Sequence, residues 1–201
     1  MIPKKNMAEI YEASLSVFSD YGFKKTTLND IAERLNMTGG NFYRYFKSKK
    51  DLYEQTVSYA LLQWQAYSIE SVPREADIRT QFTMMSFKAV EYLSINDAFR
   101  RLLIRDPDIF PIFPTKDPYE KINNDSMELV KSMLKKGVDT KEFRNIDPEL
   151  TTQLLWLIYK TFIIRIYVQN HGKAMQDIWK VFVDLITNGL FAEKTNQDPN
   201  V

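Results

Sequence analysis

Three helix-start signals that follow one another closely between residues 27 and 51 constrain the fold of this chain more than any other feature. Thr27 is followed three residues later by Asp30, and Ser48 is followed in the same way by Asp51. Each pair has the spacing of a capping hydroxyl and its acidic partner in the first turn of a helix. Thr38, which lies between the pairs, is a third N-cap candidate. We therefore expect two short helices joined by a tight turn, followed by the start of a longer helix.

The spacing of the apolar residues supports the first of these short helices. Its apolar face is formed by residues at positions i, i+3, i+4 and i+7, namely Leu28, Ile31, Ala32 and Leu35. Asn36 follows, and asparagine adopts the left-handed conformation that closes a helix at low cost. The second short helix is predicted from Thr38 to about Phe46. This arrangement is typical of a helix-turn-helix, which places its second helix in the major groove of DNA.

The same region resembles the N-terminal domain of TetR-type transcriptional regulators. The resemblance rests on Gly22-Phe23, Thr26-Thr27, Asp30-Ile31-Ala32 and the run GNFYRYFKSKKDLY at residues 40–53. The order and spacing of these motifs carry the resemblance, which covers about residues 8–53. It implies an all-helical homodimer that represses its target and releases DNA when a small ligand binds.

The charge of the chain is unevenly distributed. The formal net charge is only +1, but residues 1–50 hold nine lysines and arginines against five acidic residues, a net charge of +4. The remaining residues therefore have a net charge of −3. A basic N-terminal region is the electrostatic feature expected of a DNA-binding unit. The alternative is a solvated surface with a chance asymmetry of charge.

Composition excludes several classes of protein. The chain has no cysteine, which excludes disulfides and thiolate chemistry. The N-terminal sequence MIPKKNMAEIYE has no apolar segment of the kind found in signal peptides. The longest uninterrupted apolar run, residues 154–159, is far too short to cross a bilayer. We expect a soluble, cytoplasmic protein with no membrane partner.

Hydrophobic periodicity along the chain predicts an all-α fold of about nine helices. Outside the helix-turn-helix these are helix 1 at 7–21, helix 4 at 49–68, helix 5 at 77–94, helix 6 at 96–105, helix 7 at 118–136, helix 8 at 148–170 and helix 9 at 174–192. Gly22 and Gly137 are expected to end helices 1 and 7. We divide the chain into a DNA-binding domain, residues 1–48, and a ligand-binding and dimerisation domain, residues 49–201. Helix 4 links the two.

Helix 8 is apolar almost all round, and this bears on the oligomeric state. A helix without a polar face must be covered on several sides. One side can cover the core of its own domain, and helices 8 and 9 pairing with their copies across a two-fold axis would cover the rest. The resemblance implies the same homodimer interface. The alternative is a central helix within a monomer.

The predicted DNA contacts lie in and around the recognition helix and are Thr27, Thr38, Gly40, Asn41, Tyr43, Arg44, Tyr45 and Lys49. Thr27 and Thr38 stand at helix N-termini, which favour phosphate. Asn41 suits an adenine base edge. The resemblance implies that Tyr43 and Lys49 contact phosphate. Arg44 has two candidate roles, guanine or phosphate binding. Tyr45 either packs or contacts DNA, and Phe42 and Phe46 are interpreted as core.

A cluster of aromatic residues is the candidate effector site. It consists of Phe82, Tyr92, Phe99, Phe110, Phe113, Trp156, Tyr159 and Phe162. The segment at 107–118 has four prolines but also large apolar residues, so it cannot form a regular helix and should be buried, as a lid over a pocket would be. Such a pocket suits a lipophilic or aromatic molecule. The alternative is that these aromatics are simply part of the core.

Nothing in the sequence indicates an enzyme, a metal site or a cofactor. The chain has no cysteine, no glycine-rich phosphate loop and no nucleophile motif, and its single histidine, His171, precedes a glycine in an expected turn. We therefore expect a regulator that binds double-stranded operator DNA and an unidentified small-molecule effector. The alternative function is a non-catalytic helical module for protein–protein interaction.

Overall fold

The computed structural model describes residues 6–110, 117–165 and 172–188. Of Gly39, Asn41 and residues 172–176 it describes only the backbone. Within these ranges every regular element is helical, so the expected all-α class is confirmed. In the same part of the chain, no helix combines the length and the apolar character needed to cross a bilayer.

The N-terminal unit consists of α1 (Met7–Lys25), α2 (Leu28–Arg34) and α3 (Gly39–Phe42). The prediction placed the end of the first helix at Gly22. The structure has Gly22 at φ +79°, a value that side-chain-bearing residues rarely adopt, and the helix kinks there before one more turn reaches Lys25. Thr26 then closes the segment, because its backbone N–H and its hydroxyl both donate to the Gly22 carbonyl, at 3.1 and 2.8 Å.

The turn between α2 and α3 is a Schellman motif built on Asn36. Asn36 has φ +53°, as expected from the sequence. The backbone N–H of Met37 donates to Ala32 O at 2.8 Å, and that of Asn36 donates to Glu33 O at 3.1 Å. These two bonds satisfy carbonyls that the end of α2 would otherwise leave without a partner. The helix-turn-helix is therefore specified by local backbone chemistry.

A small core fixes the three N-terminal helices against one another. Its fully buried side chains include Ile10, Phe18, Ile31 and Phe42, and Phe46 is almost as buried. The interpretation of Phe42 and Phe46 as core residues agrees with this burial. The second short helix is shorter than predicted, however. It ends at Phe42, and residues 43–45 continue as turns until Phe46 enters the core.

The body is formed by α4 (Lys49–Glu70), α5 (Ile78–Ile95), α6 (Asp97–Arg105), a 3₁₀ turn (Pro107–Ile109), α7 (Glu120–Asp139), α8 (Pro148–Ile163) and α9 (Gly172–Asn188). The expected cap is present at Ser48, and Asn96 and Asp147 cap α6 and α8; each side chain accepts a bond from the backbone N–H three residues later. Ile109 and Phe110 in the proline-rich segment are buried, as expected. Residues 111–116 and His171 lie outside the described residues.

Gly137 does not end the seventh helix, which corrects the prediction. α7 continues to Asp139, and the chain turns at Lys141, a non-glycine residue at φ +62°. Gly137 is needed for space instead. A Cβ atom at Gly137 would lie less than 3.0 Å from three carbon atoms of the Phe143 ring, which packs directly against the helix backbone. The glycine therefore marks a close contact within the helix.

The N-terminal unit and the body are joined by α6 as well as by α4. Arg101 of α6 forms an ion pair with Asp20 of α1 at 2.5 Å, and Arg105 Nε donates to Ser19 O at 2.7 Å. Tyr53 near the start of α4 donates its hydroxyl to the carboxylate of Asp106, which follows α6. Sequence reasoning identified only α4 as the link, because these contacts join residues more than 50 positions apart.

Candidate DNA interface and ligand cavity

The segment around α3 exposes polar side chains on a buried aromatic base. Tyr43 is 68% exposed, and Arg44 and Tyr45 are exposed beside it. Phe42 and Phe46 on either side are buried and fix the segment to the core. Gly40 is exposed as well. Asn41 is part of α3, but its side chain lies outside the described residues. The arrangement presents phenol and guanidinium groups outward from a short helix.

Thr27 and Thr38 are both exposed at the starts of α2 and α3. Around Thr27 the capping box is complete. The hydroxyl of Thr27 accepts a bond from Asp30 N at 3.2 Å, and the Asp30 carboxylate accepts one from Thr27 N at 2.6 Å. The backbone N–H of Thr27 is therefore already bonded to Asp30. The hydroxyl hydrogen of Thr27 is the group with which this residue can donate to a phosphate.

Lys49 has an intramolecular role that the sequence did not indicate. Its ammonium donates to Phe23 O at 2.8 Å and Thr26 O at 3.0 Å, with Lys24 O at 3.4 Å. It also lies 4.6 Å from the centroid of the Phe23 ring. An ammonium has three N–H donors, so these carbonyls occupy its bonding capacity. Lys49 ties the start of α4 to the end of α1, and a phosphate would have to compete with the carbonyls.

A cavity of about 140 Å³ lies between α4, α5, α7, α8 and α9. Its apolar and aromatic lining comprises Leu61, Trp64 and Ile69 from α4, Phe82, Met85 and Ala89 from α5, Phe110 after the 3₁₀ turn, Ile122, Leu129 and Val130 from α7, Leu155, Trp156 and Tyr159 from α8, and Trp179, Phe182, Val183 and Ile186 from α9. Among the described residues, no Asp, Glu, Lys, Arg or His side chain lines it. Such a cavity favours an uncharged, apolar occupant.

Four of the eight predicted effector residues line this cavity: Phe82, Phe110, Trp156 and Tyr159. Three others are not among the lining residues and pack behind the wall. Phe99 packs edge-on against Trp64 at 5.8 Å, Tyr92 stacks on Trp64 at 6.3 Å, and Phe162 packs edge-on against Trp179 at 5.0 Å. Phe113 lies outside the described residues. Helical periodicity separates buried from exposed positions, but it does not distinguish a cavity surface from the layer behind it.

The main residues that sequence reasoning missed are Trp64 on α4 and Trp179 and Phe182 on α9. Trp64 and Trp179 are buried, and Phe182 packs against the core. The signal that could have found them is the convergence of three tryptophan-bearing helices, since Trp64, Trp156 and Trp179 are all three tryptophans of the chain and all line the cavity.

The serine and threonine hydroxyl groups of the lining are committed to their own helices. Each donates to the carbonyl four residues earlier, at 2.7–3.1 Å: Ser68 to Trp64, Ser86 to Phe82, Ser126 to Ile122 and Thr152 to Pro148. The amides are also engaged, since Gln65 donates to Ser126 Oγ and Asn123 donates to Asp117 Oδ2. The wall therefore contains polar atoms but presents few hydrogen-bond donors to an occupant.

Lys160 lies behind the aromatic wall of the cavity. It is only 7% exposed, and its ammonium is 4.9 Å from the centroid of Phe110 and 5.8 Å from that of Trp156. Burial lowers the pKa of Lys160 because it removes water from the charged form, and the negative charge of Asp117 partly opposes this. Because Phe110 and Trp156 also line the cavity, Lys160 connects its wall to the Asp117 region before α7.

The outward faces of α8 and α9 are apolar. On α8, Leu150, Leu154 and Leu157 are exposed at spacings of four and three residues. On α9, the exposed apolar residues are Ile178, Val181, Leu185 and Ile186. The opposite side of α8 contributes the buried Ile163 and the cavity-lining Trp156. Among the described residues, α8 is thus covered on one side only. The exposed apolar faces lie on the two helices that were predicted to dimerise.

Comparisons with known proteins agree with this geometry. A family model for bacterial regulatory proteins of the tetR family matches residues 10–56. The HTH-type transcriptional repressor KstR2 of Mycolicibacterium smegmatis is 23% identical over 200 residues, covering 94% of this chain and 92% of that protein. The biofilm operon icaADBC negative transcriptional regulator IcaR of Staphylococcus aureus is 41% identical over 49 residues, covering 24% of this chain and 26% of IcaR.

The fold is shared with a solved structure over almost the whole chain. FadR of Bacillus subtilis, a transcriptional regulator crystallised in complex with stearoyl-CoA, aligns with a TM-score of 0.75 at 14% identity. The alignment covers 92% of this chain and 100% of that one. At this identity the likeness shows a common fold, in which both the N-terminal unit and the helical body have counterparts.

Proposed function

We propose that this chain, a member of the TetR family of bacterial transcriptional regulators, is a repressor that binds operator DNA as a homodimer and releases it when an effector occupies the cavity of the body. Its relatives are transcriptional regulators, and the alternative of a helical protein–protein interaction module is not favoured. The proposal divides the chain functionally at residues 48 and 49, with α4 and α6 connecting the two parts.

The observation that carries DNA binding is the exposed segment that follows Phe42. Tyr43 and Arg44 extend from an anchored turn with no covering side chains, and the N-terminal region has a net positive charge. In the proposed complex Tyr43 donates its hydroxyl to a phosphate, while Asn41 binds a base edge and Arg44 binds guanine or phosphate. Thr27 and Thr38 hold phosphates at the starts of α2 and α3, and Tyr45 adds a further contact.

The experiment measures the affinity of the full chain for an operator-containing duplex by fluorescence anisotropy at several salt concentrations. Log K should fall linearly with log salt, and each lost contact between a cationic side chain and a phosphate should reduce the slope by about 0.9. Arg44→Ala should reduce the slope in this way if Arg44 binds phosphate. Tyr43→Phe should weaken binding to every duplex with the slope unchanged, because its hydroxyl carries no charge, whereas Asn41→Ala should relax the preference at one base pair. Lys121→Ala is the charge-matched control, because Lys121 lies exposed on α7. A flat salt dependence for the wild type would contradict DNA binding.

Homodimerisation is proposed from the outward faces of α8 and α9. Large apolar side chains repeated along two adjacent helices are favourable only when a second surface covers them, and a two-fold axis supplies a self-complementary one. Leu154→Glu should convert the dimer into a monomer in sedimentation experiments. Leu62→Glu is the matched control, since Leu62 is an exposed leucine on α4 outside this face. A wild-type chain that sediments as a monomer at high concentration would refute this part of the proposal.

The cavity is proposed as the effector site because two of its lining residues belong to the two connections. Trp64 lies on α4, the helix that begins beside the recognition segment, and Phe110 follows α6 and the 3₁₀ turn. Their rings are 5.7 Å apart. An occupant that separates the two rings acts on both connections at once. It shifts the chain toward the DNA-free form if it binds that form more tightly than the DNA-bound form. FadR of B. subtilis was crystallised with stearoyl-CoA, but the described lining of this cavity is uncharged and does not match the charged CoA group. Uncharged, apolar molecules are therefore the effector class to test against a preformed complex of this chain with DNA.

A further inference from the structure

One polar atom in the cavity wall has no partner. Trp179 is 4% exposed, it lines the cavity, and its indole Nε1 is buried with no hydrogen-bond acceptor in the part of the chain that the structure describes. Buried N–H groups are almost always bonded, so an exception requires an explanation. No other buried side-chain nitrogen or oxygen of the described lining lacks a hydrogen-bond partner. The indole of Trp64 shows the usual case, since it donates to Ala89 O at 2.6 Å.

The lining also restricts the charge and the size of what can satisfy this N–H group. The lining that the structure describes contains no acidic or basic side chain, so a charged group placed inside would be desolvated without an ionic partner there. The cavity has a volume of about 140 Å³. An apolar cavity of roughly 150 Å³ in another protein accommodates benzene. The occupant is therefore neutral and about the size of one ring.

We propose that the cavity binds a neutral, ring-sized, largely apolar molecule that bears a carbonyl oxygen, and that the Nε1–H of Trp179 donates to this oxygen. This inference rests on the proposed function in one respect, namely that the cavity is the effector site. A carbonyl matches the wall because it accepts a hydrogen bond and brings no donor of its own that would need an acceptor. The serine and threonine hydroxyls of the wall already donate within the protein. The rest of the molecule contacts aromatic and aliphatic side chains.

The test uses two probes of almost the same shape. Acetophenone carries the carbonyl oxygen, and in α-methylstyrene a CH2 group replaces it. Both are titrated into the full chain by calorimetry, for the wild type and for Trp179→Phe, which retains an aromatic ring but removes the N–H. The affinity ratio of acetophenone to α-methylstyrene should fall about tenfold in the variant, which corresponds to about 1.4 kcal/mol. Using the ratio removes the effect of the altered cavity volume, which both probes share.

Trp156→Phe is the matched control, because Trp156 is a second tryptophan of the same wall. Its affinity ratio should remain within about twofold of the wild type. An equal fall in both variants, or an unchanged ratio in Trp179→Phe, would overturn the assignment of Trp179.

A measurement on the unmutated chain keeps the proposal falsifiable if the variant does not fold. The chain has three tryptophans, so its ¹H–¹⁵N spectrum has three indole signals. Acetophenone should move the Trp179 indole proton downfield, whereas α-methylstyrene should not. The Trp64 indole is already bonded to Ala89 O and serves as an internal control. Equal shifts with both probes, or no binding of either, would overturn the proposal.

The outcomes separate this inference from the repressor function. If the chain binds operator DNA and both probes bind it equally, the repressor proposal stands and the Trp179 contact is refuted. If acetophenone binds through Trp179 but no duplex binds at any salt concentration, the inference stands and the repressor proposal is refuted.

Discussion

Removal of the Tyr53 hydroxyl tests whether the N-terminal unit and the body are held together by a specific contact. Tyr53 is 7% exposed, and its ring packs against Phe18 and Phe23 with centroid distances of 4.9 Å each. Its hydroxyl donates to the carboxylate of Asp106, just after α6. Tyr53→Phe preserves the ring and its packing and removes only the donor. Any loss of stability therefore reports the hydrogen bond.

The expected magnitude follows from the chemistry of the acceptor. A hydrogen bond to a charged group contributes about 1.5–3 kcal/mol. Asp106 is only half-buried, so water partly replaces the lost donor, and the lower part of this range applies. We expect Tyr53→Phe to reduce the free energy of unfolding by about 1.5–2 kcal/mol. For a chain of this length that is a fall in Tm of about 3–8 °C.

Urea unfolding followed by circular dichroism gives the free energy, and calorimetry gives Tm. Tyr21→Phe is the control, because Tyr21 is an exposed tyrosine of α1 and its hydroxyl should contribute little. A second arm combines Tyr53→Phe with Asp106→Asn to measure the coupling energy of the pair. If Tyr53→Phe unfolds within about 0.5 kcal/mol of the wild type, as ordinary surface changes do, the contact does not hold the two parts together.

Two further predictions concern pH and packing. Burial raises the pKa of Tyr53 and of Tyr119, so the folded state holds these protons more tightly than the unfolded state. The free energy of unfolding should therefore fall as pH rises above about 10, by up to about 1.4 kcal/mol per pH unit for each tyrosine. In urea unfolding, the Tyr53→Phe, Tyr119→Phe double variant should show a shallower fall with pH than the wild type. An equally steep fall would count against these two tyrosines as the cause. Gly137→Ala should destabilise the chain by about 1–2 kcal/mol in urea unfolding, because overpacking against Phe143 outweighs the better helix propensity of alanine. The open site at Gly40 is the control, since Gly40→Ala should be neutral or stabilising there, and a stabilising Gly137→Ala would refute the packing argument.

The parts of the fold that could be predicted from the sequence are those set by neighbouring residues. The capping box of Thr27 and Asp30, the left-handed Asn36 and the cap of Asp147 before Pro148 all involve side chains and backbone groups a few positions apart. Such contacts form in the same way in any tertiary context, so their residue types and spacing suffice to identify them.

The features that the sequence did not show are those in which a residue's role depends on a distant partner. Gly137 has the composition of a helix stop, and only the position of the Phe143 ring shows that it is a packing site. Lys49 has the chemistry of a phosphate contact, but the carbonyls that it binds lie 23–26 positions earlier. The lining of the cavity likewise depends on how far each helix rotates about its axis. Periodicity does not resolve a rotation that exchanges Tyr92 for Ala89 on the cavity surface.

The two connections between the cavity and the DNA-binding unit place a requirement on the effector. Reversing a two-state population from 99:1 to 1:99 takes a differential affinity of about 5.5 kcal/mol. An exposed ion pair such as Arg101 with Asp20 contributes about 0.2–1 kcal/mol to resisting that change. The bond between Tyr53 and Asp106 contributes more, since it is more buried. If release breaks this bond, Tyr53→Phe lowers the effector concentration needed for half-release. If the bond persists in both forms, the variant loses stability but keeps the same effector response, and the signal then travels through α4 alone.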